Sequence, residues 1–335
     1  MVEVISTSSL LAVLERAEKN DRLGGLVREA LVLIETVLSG LSEEAVAVSF
    51  NGGKDCTVLL HIYAAVLYAR HVSPRPSSIS LPQPDPSIVI PPAMSAGSSS
   101  QAAVAPPQSS SNAPGQPIKS PPPPPAGSSE PQSSSSAATR DPSSSSRVDH
   151  YTPNGDGSSY RAAASSPSLS SLATLPYPDI RSIYITAPNP FPELDGFVLD
   201  CTKRYKMDLY RFGGGMKAAL TEWLGCGGGR GVKGVLVGTR KGDPNDNVEV
   251  LAPTDPSWPQ FLRVHPILHW TYADVWNFLL ELHVPYCSLY DEGYTSLGST
   301  TNTSPNPLLR NPDSSTGWDP AYKLQDASQE RAGRH

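Results

Sequence analysis

Cysteine is scarce in this sequence of 335 residues, and neither a long apolar run nor an excess of basic residues is present. The four cysteines form no CxxC or CxxxC pair, which argues against a disulfide framework or a structural zinc site and favours a reducing compartment. No apolar run reaches the roughly 20 residues of a membrane span. The net charge of −6 argues against a nucleic acid held through its phosphates. We therefore expect a cytoplasmic protein that binds neither nucleic acid nor membrane.

The middle of the chain lacks the apolar residues that a core requires. Residues 73–178 are about half serine and proline and include five consecutive prolines at 121–125, so burial cannot offset the entropy cost of ordering them. We interpret this segment as a disordered insert, whose composition identifies no protein partner. The remaining residues, about 230, suffice for one domain with one core. The domain comprises residues 1–72 before the insert and 179–335 after it.

Outside the insert, short apolar strands alternate with amphipathic helices. Strands are predicted at 44–50, 181–186 and 234–239, and a helix follows each of the first two. This alternation predicts an α/β fold with a doubly wound, mostly parallel sheet and helices on both faces. The insert then lies in a crossover between the first strand–helix unit and the second strand.

The stretch SFNGGKD, residues 49–55, has the composition of a phosphate-binding loop. A Walker loop would need Ser or Thr after Lys54, where Asp55 stands, and a glycine five residues before Gly53. A dinucleotide fingerprint would need three spaced glycines, and only Gly52 and Gly53 are present. The strand–loop–helix order still places backbone N–H groups and the positive end of a helix near an anion. An ordinary strand–helix turn is the alternative interpretation.

A second signature, VGTRKGDP, follows the most apolar predicted strand. In doubly wound sheets the carboxyl ends of the strands line the ligand crevice. Arg240 offers a guanidinium group for phosphate, and Asp243 offers a carboxylate for a polar ring edge or a metal. A surface ion pair between these two residues is the alternative.

Two further features could contact a ligand. Trp258 lies in a proline-rich loop, where it could cover a flat ligand or fill the core. Arg331 and Arg334 are placed on one face of a short helix that Asp326 can cap. Basic residues at a helix end also satisfy the helix dipole without any ligand.

Together these segments resemble the fungal FAD synthases, or FMN adenylyltransferases, which are adenine-nucleotide α-hydrolase-like proteins related to phosphoadenylyl-sulfate reductases. The resemblance is carried by SFNGGKD, NPFPELDGFV, VGTRKGDP, WPQFLRVHPILHW, SLYDEGYTSLG, PNPLL and ERAGR, in that order. It implies ATP and FMN as substrates, FAD and pyrophosphate as products, and Mg²⁺ as a cofactor. The long insert departs from the family pattern but lies outside every motif.

The resemblance also assigns roles to individual residues. Catalytic roles fall on Asn51, near the α-phosphate, on Lys54, on Asp55, which places Mg²⁺ or pyrophosphate, and on Arg263. The other expected contacts to ATP or flavin are Ser49, Phe50, Gly52, Gly53, Tyr184, Ile185, Arg240, Asp243, Asp255, Trp258, Arg331 and Arg334.

Alternative functions remain open at this point. A sulfonucleotide reductase needs a nucleophilic cysteine on its C-terminal segment, and no cysteine follows Cys287. A nucleotide-binding protein without catalysis would not need the complete Asn-Gly-Gly-Lys-Asp loop. A tRNA-modifying enzyme of this fold conflicts with the missing CxxC pairs and the acidic charge.

Overall fold

The computed structural model describes residues 3–74, 80–81, 83–91, 175–244 and 246–335, all of which belong to one compact unit. Its helices are α1 (Thr7–Ala17), α2 (Arg22–Leu41), α3 (Lys54–His71), α4 (Pro192–Arg204), α5 (Met216–Gly225) and α6 (Tyr272–Glu281). Its strands are β1 (Val46–Ser49), β2 (Ile180–Ile185), β3 (Met207–Phe212), β4 (Gly234–Leu236), β5 (Leu251–Pro253) and β6 (Leu262–Val264).

The six strands form one mostly parallel sheet in the order β3-β2-β1-β4-β6-β5. Val48 of β1 is in register with Ser182 of β2 on one side and with Leu236 of β4 on the other. The chain runs outward from β1 to β3 and then returns to add β4 on the other side. Only β5 is antiparallel to its neighbour among these strands. The predicted doubly wound, mostly parallel sheet is confirmed.

Alternation along the central strands separates two cores. Val46 and Val48 contribute to the larger core, whereas Ala47 contributes to the smaller one, because successive side chains of a strand point to opposite faces. On β4, Val235 lies in the smaller core with Trp223 of α5. The larger core contains residues of α1, α2, α3, α4 and α6, so helices cover both faces as predicted.

The helix that follows the phosphate loop, α3, lies in the centre of the larger core. Its apolar residues surround the helix on all sides, which is typical of a helix buried on every face. His61 is fully buried within it and its Nδ1 lies 2.9 Å from the Tyr205 hydroxyl. The described helices include none with the length and apolarity that crossing a bilayer requires.

The structured domain extends into both ends of the predicted insert at 73–178. The backbone N–H of Asp85 donates to Thr36 Oγ1 on α2 at 2.9 Å, and Ile90 packs against the larger core. At the other end Tyr177 is fully buried. The predicted boundaries were therefore too wide, because isolated apolar residues near both ends pack in or against the larger core. Residues 92–174 lie outside the described residues.

Candidate active site

The carboxyl ends of β1, β2 and β4 meet where the order of the strands reverses. In doubly wound sheets ligands bind in the crevice at this point, and here a cavity of about 380 Å³ lies there. This volume is within the usual range for small-molecule sites. The cavity wall includes Ser49, Asn51, Gly53, Lys54, Asp55, Cys56, Tyr184, Ile185, Met216, Val237, Gly238, Thr239, Asp243, Tyr290, Ser296, Leu297, Gly298, Glu330 and Arg331.

The loop between β1 and α3 has a conformation that requires glycine. Gly52 has φ +74°, a conformation that residues with a side chain rarely adopt. A Cβ at this position would also lie only 2.8 Å from side-chain atoms of Leu194 and Val198 on α4. Asn51 Oδ1 accepts a hydrogen bond from the Gly53 N–H at 3.0 Å. These contacts direct the amino end of α3 toward the cavity, where its dipole favours an anion.

Two cations and three carboxylates form a charge cluster at this end of α3. Arg240 Nε lies 2.6 Å from Asp55 Oδ1, as an ion pair rather than an aligned hydrogen bond. Lys54 Nζ contacts Asp55 Oδ2 at 3.1 Å and also pairs with Glu330. Arg240 donates to both carboxylate oxygens of Glu330, at 2.8 and 2.7 Å, and its backbone N–H donates to Asp243 Oδ2 at 2.7 Å.

Burial and neighbouring charges set the protonation of this cluster. Burial acts to raise the pKa of Asp55, but the charges of Lys54 and Arg240 outweigh it and hold the pKa below its ordinary value. Burial raises the pKa of Asp243 despite its hydrogen bond from the Arg240 N–H. Burial tends to lower the pKa of Arg240, but the carboxylates of Asp55 and Glu330 raise it. Asp55 is therefore an anion at neutral pH, held by two cations.

The ammonium group of Lys54 is enclosed by the protein. The residue is 2% exposed, and its Nζ lies 5.2 Å from the ring centroid of Tyr272 and 6.0 Å from that of Tyr290. Its backbone N–H donates to the Tyr290 hydroxyl at 2.9 Å. Lys54 thus acts on the cavity mainly through the carboxylates of Asp55 and Glu330.

Two arginines lie at or beside the cavity without a carboxylate partner among the described residues. Arg331 is exposed and lines the cavity, and Arg334 packs against Gly298 of the wall. Their side chains reach the same hydroxyl, Ser296 Oγ, each at 3.5 Å. Burial, followed by the charge of Arg331, lowers the pKa of Arg334. An anion between these guanidinium groups would relieve their repulsion.

Most of the residues predicted for the site do meet in or beside this cavity. The residues that line it directly are Ser49, Asn51, Gly53, Lys54, Asp55, Tyr184, Ile185, Asp243 and Arg331. Arg240 lies beneath the wall, bound to Asp55, and Arg334 lies behind Gly298. Phe50 is fully buried in the larger core, and Gly52 backs onto α4.

Three predicted residues are not brought to the cavity. Strand β5 runs antiparallel to β6, with Pro253 opposite Leu262. Asp255 and Trp258, which follow β5, therefore lie at the amino edge of the sheet, whereas the cavity lies at the carboxyl edge. Trp258 packs against the smaller core. Arg263 of β6 donates to the carbonyl oxygens of Ala252 at 3.4 Å and of Pro253 at 3.2 Å. These three side chains therefore lie away from the cavity wall, and their assignment to the flavin-binding motif stays a prediction.

Sequence reasoning missed Glu330 and Tyr290 as members of the site. Both occur inside motifs that were recognised, ERAGR and SLYDEGYTSLG. A glutamate in a polar terminal segment is typical of a solvated surface, so the sequence carries no signal for its pairing with Lys54. Their roles become visible only in the tertiary structure.

A family model for the phosphoadenosine phosphosulfate reductase domain matches residues 229–305. The chain is also 41% identical over 158 residues to a probable FAD synthase of Schizosaccharomyces pombe, covering 47% of this chain and 58% of that protein. It is 32% identical over 171 residues to the flavin adenine dinucleotide synthase of Saccharomyces cerevisiae, covering 48% and 55%. The matches thus span little more than half the length of these curated relatives.

Solved structures agree on the fold. The FMN adenylyltransferase of Candida glabrata in complex with FAD and inorganic pyrophosphate matches with a TM-score of 0.59 at 20% identity, covering 98% of this chain and 94% of that one. The yeast FAD synthetase in complex with FAD matches with a TM-score of 0.58 at 18% identity, covering 98% and 99%. The chain therefore has the FMN adenylyltransferase fold, and the predicted resemblance to FAD synthases is confirmed by homologues.

Proposed function

We propose that this protein is an FAD synthase, which transfers the adenylyl group of ATP to the phosphate of FMN and releases pyrophosphate. The observation that carries the proposal is the pair of candidate anion sites at one cavity. The amino end of α3 lines the cavity. Arg331 lines it as well and Arg334 lies beside it, and neither arginine has a carboxylate partner among the described residues. Two anionic substrates that react with one another need this arrangement.

The loop side suits the phosphates of ATP. Exposed Asn51 stands at the amino end of α3, whose dipole favours negative charge, and we assign it to the α-phosphate. Gly53, which lines the cavity, lets the backbone approach the phosphates closely. The end of β2 at Tyr184 and Ile185 borders the same cavity and offers backbone groups to adenine.

The arginine side suits the phosphate of FMN. Guanidinium groups bind phosphate through paired hydrogen bonds, and Arg331 presents its group at the cavity surface. The homologues named as FAD synthases and the fold shared with an enzyme crystallised with FAD and pyrophosphate support this choice of substrate.

The reaction follows from the charges. An oxygen of the FMN phosphate attacks the α-phosphorus of ATP, a new phosphoanhydride bond forms, and the bond between the α- and β-phosphates breaks, so that pyrophosphate leaves. The nucleophile is already an anion, so no strong general base is needed. The protein has to hold two anions in line and compensate their charge, which is the task of the helix end and the arginines.

Magnesium fits this site as an ion shared with the nucleotide. The described residues include no cluster of three side chains able to hold a metal by themselves, but Mg²⁺ is usually bound by one or two carboxylates together with substrate phosphates. Asp55 is an ionised carboxylate on the cavity wall, and the cluster around it has three carboxylates for two cations. We therefore assign Asp55 as the protein ligand of an ion that would neutralise charge on the phosphates.

Thiol chemistry has little support, which disfavours the reductase alternative. Cys287 is fully buried, and burial raises its pKa to about 11. Cys56 borders the cavity, but burial raises its pKa to about 12. Both thiols are therefore protonated and unreactive at neutral pH.

The test is to incubate the full chain with ATP, MgCl₂ and FMN, and to measure FAD by fluorescence-detected chromatography and pyrophosphate by a coupled assay. Equal amounts of FAD and pyrophosphate are expected. Riboflavin is the matched control, because it lacks the attacking phosphate and should yield neither product. Failure to form FAD from FMN, with a folded protein that binds ATP, would overturn the proposal.

A further inference from the structure

Glu330 links the last described segment of the chain to the phosphate loop. Its carboxylate pairs with Lys54 Nζ and accepts two hydrogen bonds from Arg240, at 2.7 and 2.8 Å. The side chain is only 14% exposed. Lys54 and Glu330 are 276 positions apart in the sequence, so this contact is a tertiary link between two separate parts of the site.

The backbone beside Glu330 is held from another direction. Thr295 Oγ1 donates to the Glu330 carbonyl at 2.6 Å, and Nδ2 of the fully buried Asn306 donates to the Gln329 carbonyl at 2.8 Å. The main chain is thus fixed to residues 295–306, and the side chain is fixed to the loop. Arg331 follows directly, so its position at the cavity depends on how Glu330 is held.

The chemistry at this position requires a charged carboxylate. The Glu330 carboxylate pairs with two buried cations. Both of its oxygens accept hydrogen bonds from Arg240, and one of them also accepts a hydrogen bond from Lys54. Glutamine has the same size but one acceptor oxygen and no charge, so it cannot replace both ion pairs. The loss of this link would leave Arg331 held by the backbone contacts and by its 3.5 Å contact to Ser296 Oγ.

We propose that Glu330 is a positioning residue that couples the phosphate loop to the arginine segment and holds Arg331 and Arg334 at the cavity. The identity of the anion at those arginines, the phosphate of FMN, rests on the proposed function. The contacts of the Glu330 side chain with Lys54 and Arg240 do not depend on the identity of that anion. Its effect should therefore appear in FMN binding, whereas ATP binding should change little because Asp55 still pairs with Lys54 and Arg240.

The first experiment compares Glu330→Gln with wild type in the full chain, with Glu292→Gln as the matched control because Glu292 is an exposed carboxylate. We expect the KM for FMN to rise about tenfold or more in Glu330→Gln, the ATP dissociation constant to stay within about threefold, and Glu292→Gln to match wild type. Glu330→Asp, which keeps the charge, should recover part of the loss. An equal weakening of ATP and FMN binding, or unchanged FMN kinetics, would overturn the inference.

A double-mutant cycle separates positioning from general destabilisation. In a background that carries both Arg331→Ala and Arg334→Ala, Glu330→Gln should change the KM for FMN by less than about threefold, because its effect passes through these two arginines. The same tenfold effect in both backgrounds would contradict the inference. If wild type forms FAD and Glu330→Gln has the same kinetics, the proposed function is supported and only the role of Glu330 is refuted.

A readout without substrate tests the position of the segment directly. Trypsin cleavage after Arg331, followed by mass spectrometry of the C-terminal fragment, should be several-fold faster in Glu330→Gln than in wild type or Glu292→Gln. Equal cleavage rates would contradict the inference even if the protein proved to have another activity. Because Glu330 lies next to the cleaved bond, each rate is divided by the rate for a synthetic peptide of the same sequence, and a faster normalised rate would support the coupling whatever the substrate is.

Discussion

Arg240 binds Asp55 through an ion pair of 2.6 Å between Nε and Oδ1, and so joins the two signature segments of the sequence. Asp55 lies in the first turn of α3, the helix that follows β1 in the chain. Arg240 follows β4, which is the neighbour of β1 in the sheet. Because the carboxyl ends of parallel neighbours lie at one edge of the sheet, a loop and a motif 185 residues apart form a single site.

The role of Asp55 is tested by Asp55→Asn. We expect kcat/KM for FAD formation to fall at least about 100-fold, or roughly 2.7 kcal/mol, because the amide provides neither a charge for the metal nor a partner for two cations. The fold should persist, since Glu330 and Asp243 still neutralise Arg240. Steady-state kinetics and thermal unfolding of the same preparation provide the measurement.

Asp274→Asn is the matched control for that change. Asp274 completes the capping box of α6 and pairs with Arg22 at 2.8 Å, away from the cavity. Its loss should lower stability by about 0.5–2 kcal/mol and leave kcat unchanged. If Asp55→Asn instead behaves like this control, Asp55 has a structural role only.

The conformation of the phosphate loop is tested by Gly52→Ala. The positive φ and the 2.8 Å approach to Leu194 and Val198 should destabilise the protein by about 1–3 kcal/mol and weaken ATP binding. Gly196→Ala on the adjacent helix α4 is the control, because nothing lies within 4 Å of its Cβ position, and it should be neutral or stabilise by up to about 1 kcal/mol. Similar unfolding temperatures for the two variants would refute the strain argument.

The two terminal arginines should affect FMN more than ATP. Arg331→Ala and Arg334→Ala should each lower kcat/KM for FMN about tenfold or more, because a charged hydrogen bond to phosphate is lost. ATP affinity, measured by calorimetry without FMN, should hardly change, and the exposed Arg310→Ala serves as control. Normal FMN kinetics in both variants would mean that neither arginine contributes to the binding of FMN.

The buried histidine of α3 predicts how stability depends on pH. Burial lowers the pKa of His61 from its ordinary value of 6.5 to about 4, so the folded protein holds this residue neutral. Its contribution to stability is complete above pH 6.5 and is lost as the pH falls toward 4. Between pH 7 and pH 5 the loss should be about 2 kcal/mol.

The measurement is the free energy of unfolding from urea titrations of wild type and His61→Gln at both pH values. The variant should show a pH-dependent loss smaller by that amount, whatever its absolute stability. Equal losses in the two proteins would mean that His61 does not titrate on unfolding.

The spacing of apolar residues predicted the helices and strands well, because this spacing depends on which face of each element is buried. The strands predicted at 44–50, 181–186 and 234–239 reappear as β1, β2 and β4, and helices α3 and α4 follow the first two. Contiguous motifs were equally accessible, since the residues of SFNGGKD are neighbours both in sequence and in space. Average composition was less reliable, because the Ser/Pro content of the insert concealed the few apolar residues, such as Ile90 and Tyr177, that belong to the domain.

Long-range geometry could not be predicted from these patterns. The direction of β5, a strand of three residues, decides that Asp255 and Trp258 lie at the far edge of the sheet, and so short a segment carries no periodicity. The pairing of Glu330 with Lys54 likewise depends on the path of the whole C-terminal segment. In both cases tertiary packing selected a position that no local signal encodes.

The most direct test of adenylyl transfer follows the phosphorus atoms of ATP. Wild-type protein is incubated with FMN, MgCl₂ and ATP labelled with ³²P at either the α or the γ position, and the products are separated by chromatography. We expect the α label in FAD and the γ label in pyrophosphate, because the bond between the α- and β-phosphates breaks. The γ label in inorganic phosphate, with no α label in a flavin product, would contradict adenylyl transfer at this site.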